Sequence, residues 1–320
     1  MRILLVASSI FIFFLLSCSK ERQDTPDLSG INSEPEIIRF DQLFYESSAD
    51  GLPALKAQFP FLFPAGNADS VWVNKIQDED EQYLYAETQK QFADFSDQRS
   101  RLESLFKHMK YYFPTFEEPR IITMVTQVDY NNKVLYADSL LFVGLDLYLG
   151  KDHEVYADFP GYVKQNYHKD HLIVDVADAM VRPLLGTPPD NSFISRIVQD
   201  GKRLEILSLL LPNVSKEEII GYTQEQWNWA EMSESNMWKY FVQNELLYST
   251  DPELSRRFIE EAPFSKFYLE VDRDSPGRIG SWFGWRIAEA YWSNVDPGMR
   301  GLITTDNVEL FKRSKYKPSK

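Results

Sequence analysis

The stretch YHKDHLIVDVADAMVRPLL, residues 167–185, places two histidines, three aspartates and an arginine within an otherwise apolar run. On a helix at about 100° per residue with His171 at zero, Asp175 falls near about 40°, Asp178 near about −20° and Arg182 near about 20°. These four residues share one narrow stripe. The positions between them are Leu, Ile, Val, Ala or Met, so the helix carrying them is apolar around most of its circumference and is expected to be buried. Buried carboxylates must be paired, neutralised or bound to a cation.

Two chemistries fit. His171 and Asp175, one turn apart, can ligate a single metal ion, joined by His168 or His153. Alternatively the residues satisfy one another. Asp178 precedes Arg182 by four residues, the favourable orientation for an intrahelical ion pair, and Asp170 can cap the helix start. Pairing leaves fewer groups unexplained, and no HExxH motif occurs in the chain. The expectation is therefore an ion-paired stripe with no metal and no cofactor.

Other reaction machinery has little support. The chain has no G-x-S-x-G elbow, no P-loop and no dinucleotide fingerprint, and its single cysteine, Cys18, is claimed by the N-terminal signal described below. The triplet DHE at 152–154 reads as an exposed loop. In GRIGSWFGWRIAEAYW, residues 277–292, Trp282 and Trp285 can line a glycan-binding cleft. Core packing is the better expectation, with Gly277, Gly280 and Gly284 allowing close approach of a neighbouring element.

Elements must position these groups. The chain opens with Met1-Arg2 and the apolar run ILLVASSIFIFFLL, then Leu15-Leu16-Ser17-Cys18. This pattern is a secretory signal ending in a lipobox, so residues 1–17 are read as a signal peptide and Cys18 as the site of lipid attachment. Polar residues 18–36 form a flexible tether to a single domain at 37–320. A formal net charge of −14 argues against nucleic acid and against flat contact with anionic headgroups. Membrane attachment then rests on the acyl chains. Only the last residues, FKRSKYKPSK, reverse the sign, and they read as a solvated terminus.

From Ile37 to Phe113 apolar residues recur at three and four, as in Leu102, Leu105, Phe106 and Met109. Residues 120–150 are rich in Ile, Val, Thr and Tyr and predict two or three antiparallel strands, with Asn131-Asn132 at a hairpin. Helices are expected at about 155–167, 170–182, 191–210, 223–247, 251–260, 277–293 and 305–313. The fold class is α+β, helix-dominated, with a small antiparallel sheet.

Taken together, the lipobox, VGLDLYLGKDHEVYADFPGYVKQNYHKDHLIVDVADAM, GSWFGWRIAEAYW and the terminal SKYKP resemble the gliding motility lipoprotein GldB family of Bacteroidetes. That resemblance implies a cell-envelope protein, anchored by its lipid in the outer membrane and facing the periplasm, that works with the gliding and secretion machinery. The family in turn is similar to zincin-type metallopeptidases, which implies a zincin-like single domain. Where such an enzyme carries HExxH this chain has Asp175-Val176-Ala177-Asp178-Ala179, and where a Glu-Gly pair supplies the third ligand it has Asp200-Gly201. The implied function is a non-enzymatic binding or assembly module. The alternatives are an atypical zinc metallopeptidase using His168, His171 and Asp175, and a glycan-binding lipoprotein.

Overall fold

A computed structural model describes residues 26–137, 139–188 and 190–319, with the side chain of Val271 excepted. Strand β1 (Ile37–Ile38) leads into five helices, α1 (Phe40–Tyr45), α2 (Leu52–Gln58), α3 (Asp69–Gln77), α4 (Glu79–Phe92) and α5 (Ser96–Tyr112). Three strands follow, β2 (Arg120–Met124), β3 (Val134–Ala137) and β4 (Leu140–Gly144). The remainder is helical: α6 (Gly161–Lys164), α7 (Leu172–Leu185), α8 (Phe193–Leu210), α9 (Lys216–Ile220), α10 (Gln224–Gln243), α11 (Glu253–Phe258), α12 (Ile279–Val295), α13 (Gly298–Thr304) and α14 (Asn307–Ser314). The helix-dominated α+β class is what the sequence predicts.

The sheet differs from its expectation. It is mixed, with order β1-β2-β4-β3, in which β1–β2 and β2–β4 are parallel and only β3–β4 is antiparallel. Asn131-Asn132 is not a hairpin turn but part of a 3-10 turn over Tyr130–Asn132, on the crossover from β2 past β4 to β3. Left-handed backbone in that crossover falls instead on Gln127 and Val128, at φ 59° and 60°. A β-branched residue there is costly. It is held by the fully buried Asp146, which accepts backbone N–H bonds from Thr126 at 2.9 Å and Val128 at 2.6 Å.

Alternate residues of β2 feed two cores, as the two-residue period of a strand requires. Ile121 joins the main cluster with Leu141, Val143 and the faces of α5, α7, α8 and α12. Ile122 joins a smaller aromatic cluster of Phe40, Phe44, Phe59 and Phe63 under α1 and α2. The expected tether is already engaged before β1, since Arg99 donates to the carbonyl of Pro35 at 2.8 Å and Lys110 to that of Asn32 at 2.8 Å.

Helices α8 and α12 cross at Gly201 and Gly284. A Cβ on either residue would overlap backbone of the facing helix, so only glycine permits the approach. In the C-terminal segment Lys312, Arg313, Lys315 and Lys317 are exposed, as a solvated terminus predicts, but Tyr316 is docked. The Tyr316 hydroxyl donates to the buried Glu234 at 2.5 Å, and its ring stands edge-on to Trp238 at 5.2 Å. The expected helix at 155–167 is broken into a 3-10 turn at Glu154–Tyr156 and the four residues of α6, because Pro160 takes the N-cap of α6.

Candidate functional site

The LDLYLG segment positions the first histidine. Leu149 forms a β-bridge with His168, and the Gly150 N–H donates to the Tyr167 carbonyl at 2.8 Å. Gly150 lies at φ 111°, a conformation that favours glycine. His168 is therefore extended, after which a 3-10 turn over Lys169–His171 hands the chain to α7. His171 is buried where that turn meets the helix.

The second element is α9, which the sequence reading did not connect to the stripe. Ser215 caps it by accepting the Glu218 N–H at 3.3 Å, and Gly221 ends it in the left-handed conformation. Gln165, just before His168, donates to the Gly221 carbonyl at 2.7 Å and ties the two segments together. Glu218 Oε1 thereby reaches 2.7 Å from His171 Nδ1 and 3.5 Å from His168 Nε2. His168, His171 and Glu218 each present a ligand atom within 4.8 Å of the other two. Among the described residues they form the group able to hold a metal ion. His168 and Glu218 also line an open cleft of about 640 Å³, together with Leu149, His153, Gln165 and Tyr222.

Asp175 approaches the opposite nitrogen of His171, with Oδ1 3.7 Å from Nε2. Its other oxygen is occupied. Tyr148 donates to Oδ2 at 2.9 Å, and Lys133 Nζ lies 2.9 Å from the same atom. Burial pushes the Asp175 carboxyl up, but the charges of Lys133 and His171 and the bonds from Lys133 and Tyr148 hold it below the usual range. Glu218 behaves alike, with burial opposed by the hydrogen bond and charge of His171, for a net lowering. His168 is pulled down by burial despite the nearby Glu218. The Tyr148 hydroxyl is raised well above its ordinary range by burial and by Asp175.

The rest of the stripe faces elsewhere. Asp178 pairs with Arg182 at 2.6 Å, as expected, but its buried partner is Arg203 of α8, at 2.5 Å. Arg203 also binds Asp200 at 2.7 Å, making an Asp178–Arg203–Asp200 triad between α7 and α8. Arg182 is 62% exposed at its side chain, so a dry Asp178–Arg182 pair is not what the fold contains. Replacing Arg182 with Ala should therefore cost less than about 1 kcal/mol in urea unfolding, the range of solvated pairs. A loss of 3 kcal/mol, on the scale of a buried pair, would contradict this assignment. Asp170 does not cap α7 either. It points outward to Arg101 at 2.8 Å, and α7 has no side-chain cap.

The remaining candidates resolve plainly. Trp282 and Trp285 are 0% and 2% exposed, packed edge-on against Trp227, so they form core and not a glycan cleft. His153 stands apart, 3.2 Å from Glu87. Cys18 lies outside the described residues. Sequence reasoning missed Glu218, Lys133, Tyr148 and Arg203. Only Glu218 carried a local signal, the Ser-x-x-Glu capping pattern of Ser215–Glu218.

The ordered positions of LDLYLG, the His168–Asp175 turn and the α8–α12 crossing all fall within one span of sequence similarity. A family model for the gliding motility protein GldB matches residues 21–318. The chain belongs to the GldB family. At the level of the family it is a gliding-motility lipoprotein of the cell envelope. No curated protein and no solved structure matches it. Among the described residues no helix is long and apolar enough to cross a membrane. Within this GldB chain, Asp146 and Tyr148 of LDLYLG have distinct tasks: the first fixes the β2–β3 crossover and the second reaches Asp175.

Proposed function

We infer that this GldB-family chain is a lipid-anchored, non-enzymatic binding or assembly module of the envelope, serving gliding or the associated secretion machinery from the outer membrane. The observation that carries the reading is the Asp178–Arg203–Asp200 triad. At the two places where a zincin-type peptidase would hold its HExxH motif and its Glu-Gly pair, the carboxylates are committed to Arg203, and Gly201 is committed to the α8–α12 crossing. Asp175 is likewise committed to Lys133 and Tyr148. What resembles a hydrolytic frame is used as architecture, leaving the outer faces for partners.

Anchoring is tested in the native host. A Cys18→Ser copy is expected to lose labelling by radioactive palmitate and to fail to restore gliding or secretion to a strain lacking the chain. Full restoration by an unlabelled, soluble Cys18→Ser protein would remove the anchor from the account.

A further inference from the structure

We propose that His168, His171 and Glu218 form a binding site for one divalent transition metal ion, with zinc the best match to two imidazoles and a carboxylate. Two histidine nitrogens, one from an extended segment and one from the following turn, converge on the same carboxylate oxygen, Glu218 Oε1, at 3.5 and 2.7 Å. Donor atoms around a tetrahedral zinc ion with bonds of about 2.0 Å stand about 3.3 Å apart. The His168–Glu218 separation, 3.5 Å, is close to that value. The His171–Glu218 contact, which holds a proton in the absence of metal, opens by about half an ångström when an ion takes the proton's place. Glu218 sits on a helix of five residues and its side chain is 26% exposed, so the shift needs no core movement.

Asp175 supplies the part that a bare cluster lacks. Metal-bound histidines characteristically donate their second ring N–H to a carboxylate, which fixes tautomer and ring orientation. With Nδ1 of His171 on the ion, Nε2–H is turned toward Asp175 Oδ1, which at 3.7 Å lies just outside hydrogen-bond length and is brought into it by a small shift of the ring, and Asp175 is itself held by Tyr148 and Lys133. Asp175 is thus a positioning residue, and Glu218 takes the ligand role. The fourth coordination position opens on the cleft beside Leu149, Gln165 and Tyr222. An ion there would tie α9 to the start of α7 and present a Lewis-acidic face to a donor entering the cleft. This site is independent of the assembly reading, which stands or falls on partners and not on metal.

The test uses the lipidated full chain in detergent, stripped by chelator and titrated with zinc against a chromophoric chelator. One equivalent should bind. Glu218→Gln and His168→Ala should each weaken binding by at least about 10-fold, and Asp175→Asn by about 10- to 100-fold. Zinc should raise the melting temperature of the wild type and leave that of Glu218→Gln unmoved, each measured against its own unliganded form. Absence of stoichiometric zinc in the folded wild type, or wild-type affinity in a folded Glu218→Gln, would overturn the site.

Discussion

Replacing Arg203 with Ala is expected to destabilise the protein by roughly 3 to 5 kcal/mol, the cost of removing one partner from a buried ion pair. The Arg203 side chain is 8% exposed and is the shared counter-charge of Asp178 and Asp200. Its loss leaves Asp178 with only the solvent-exposed Arg182 and Asp200 with only the weaker influence of Arg278 and Ser281. The triad also has a pH signature. Burial raises the Asp200 carboxyl, but the charge and hydrogen bond of Arg203 bring it well below the ordinary 3.8. A folded pKa below the unfolded value means that the stabilisation is complete above that ordinary value and is lost as the pH falls through the folded one. Without Arg203, burial is opposed at Asp200 only by the charge of Arg278 and the hydrogen bond from Ser281, and the carboxyl moves up. The deficit of the Arg203→Ala variant should therefore shrink on acidification, as the carboxylates take up protons. Urea unfolding of both proteins from pH 7 down to about 4 would show it. A triple variant, Arg203→Met with Asp178→Leu and Asp200→Leu, should recover most of the loss, since packed apolar residues commonly match a buried triad. A deficit under about 1 kcal/mol that is constant with pH would mean that the triad is solvated.

Gly284→Ala is expected to cost at least about 3 kcal/mol, at or beyond the upper end of ordinary overpacking. The reason is what the new methyl would meet. It would overlap the carbonyl of Ile197, a backbone atom in mid-helix that cannot rotate away. Gly201→Ala meets the backbone of Gly284 in the same way. Helices α8 and α12 carry Leu204, Ile206, Trp282, Phe283 and Ile287 into the main core, so separating them opens an apolar seam there. Gly298→Ala makes a useful contrast. That residue has open space around it, and its cost comes only from φ 62°. If Gly284→Ala unfolds within about 1 kcal/mol of the wild type, the close crossing is wrong.

The elements that sequence periodicity exposes are those whose burial is local. The helices expected at 191–210, 223–247 and 277–293 are observed as Phe193–Leu210, Gln224–Gln243 and Ile279–Val295, each defined by an apolar face or cap within itself. Strand partners are not local. β2 lies beside β4 although β3 comes between them in sequence, and nothing in a strand's own residues records this order. The same distinction separates the site's parts. His168, His171 and Asp175 were visible because a turn and a helix bring near neighbours together. Glu218, Lys133 and Tyr148 were invisible because they arrive from α9, the approach to β3 and the exit of β4. Helical spacing placed Asp178 and Arg182 on one stripe correctly, but a shared face does not show which partner is dry. Arg203, from another helix, is the one that tertiary packing buries.

The assembly role proposed for this GldB-family chain requires that it hold other envelope proteins. The measurement that tests it most directly is quantitative purification of a tagged, lipidated chain from its native envelope, with the Arg203→Ala variant and an untagged strain as controls. Proteins of the gliding or secretion machinery are expected to co-elute in stoichiometric amounts with the wild type, and the metal-loaded preparation is expected to leave them uncleaved. A chain that elutes alone, in a preparation that hydrolyses envelope peptides, would contradict that role.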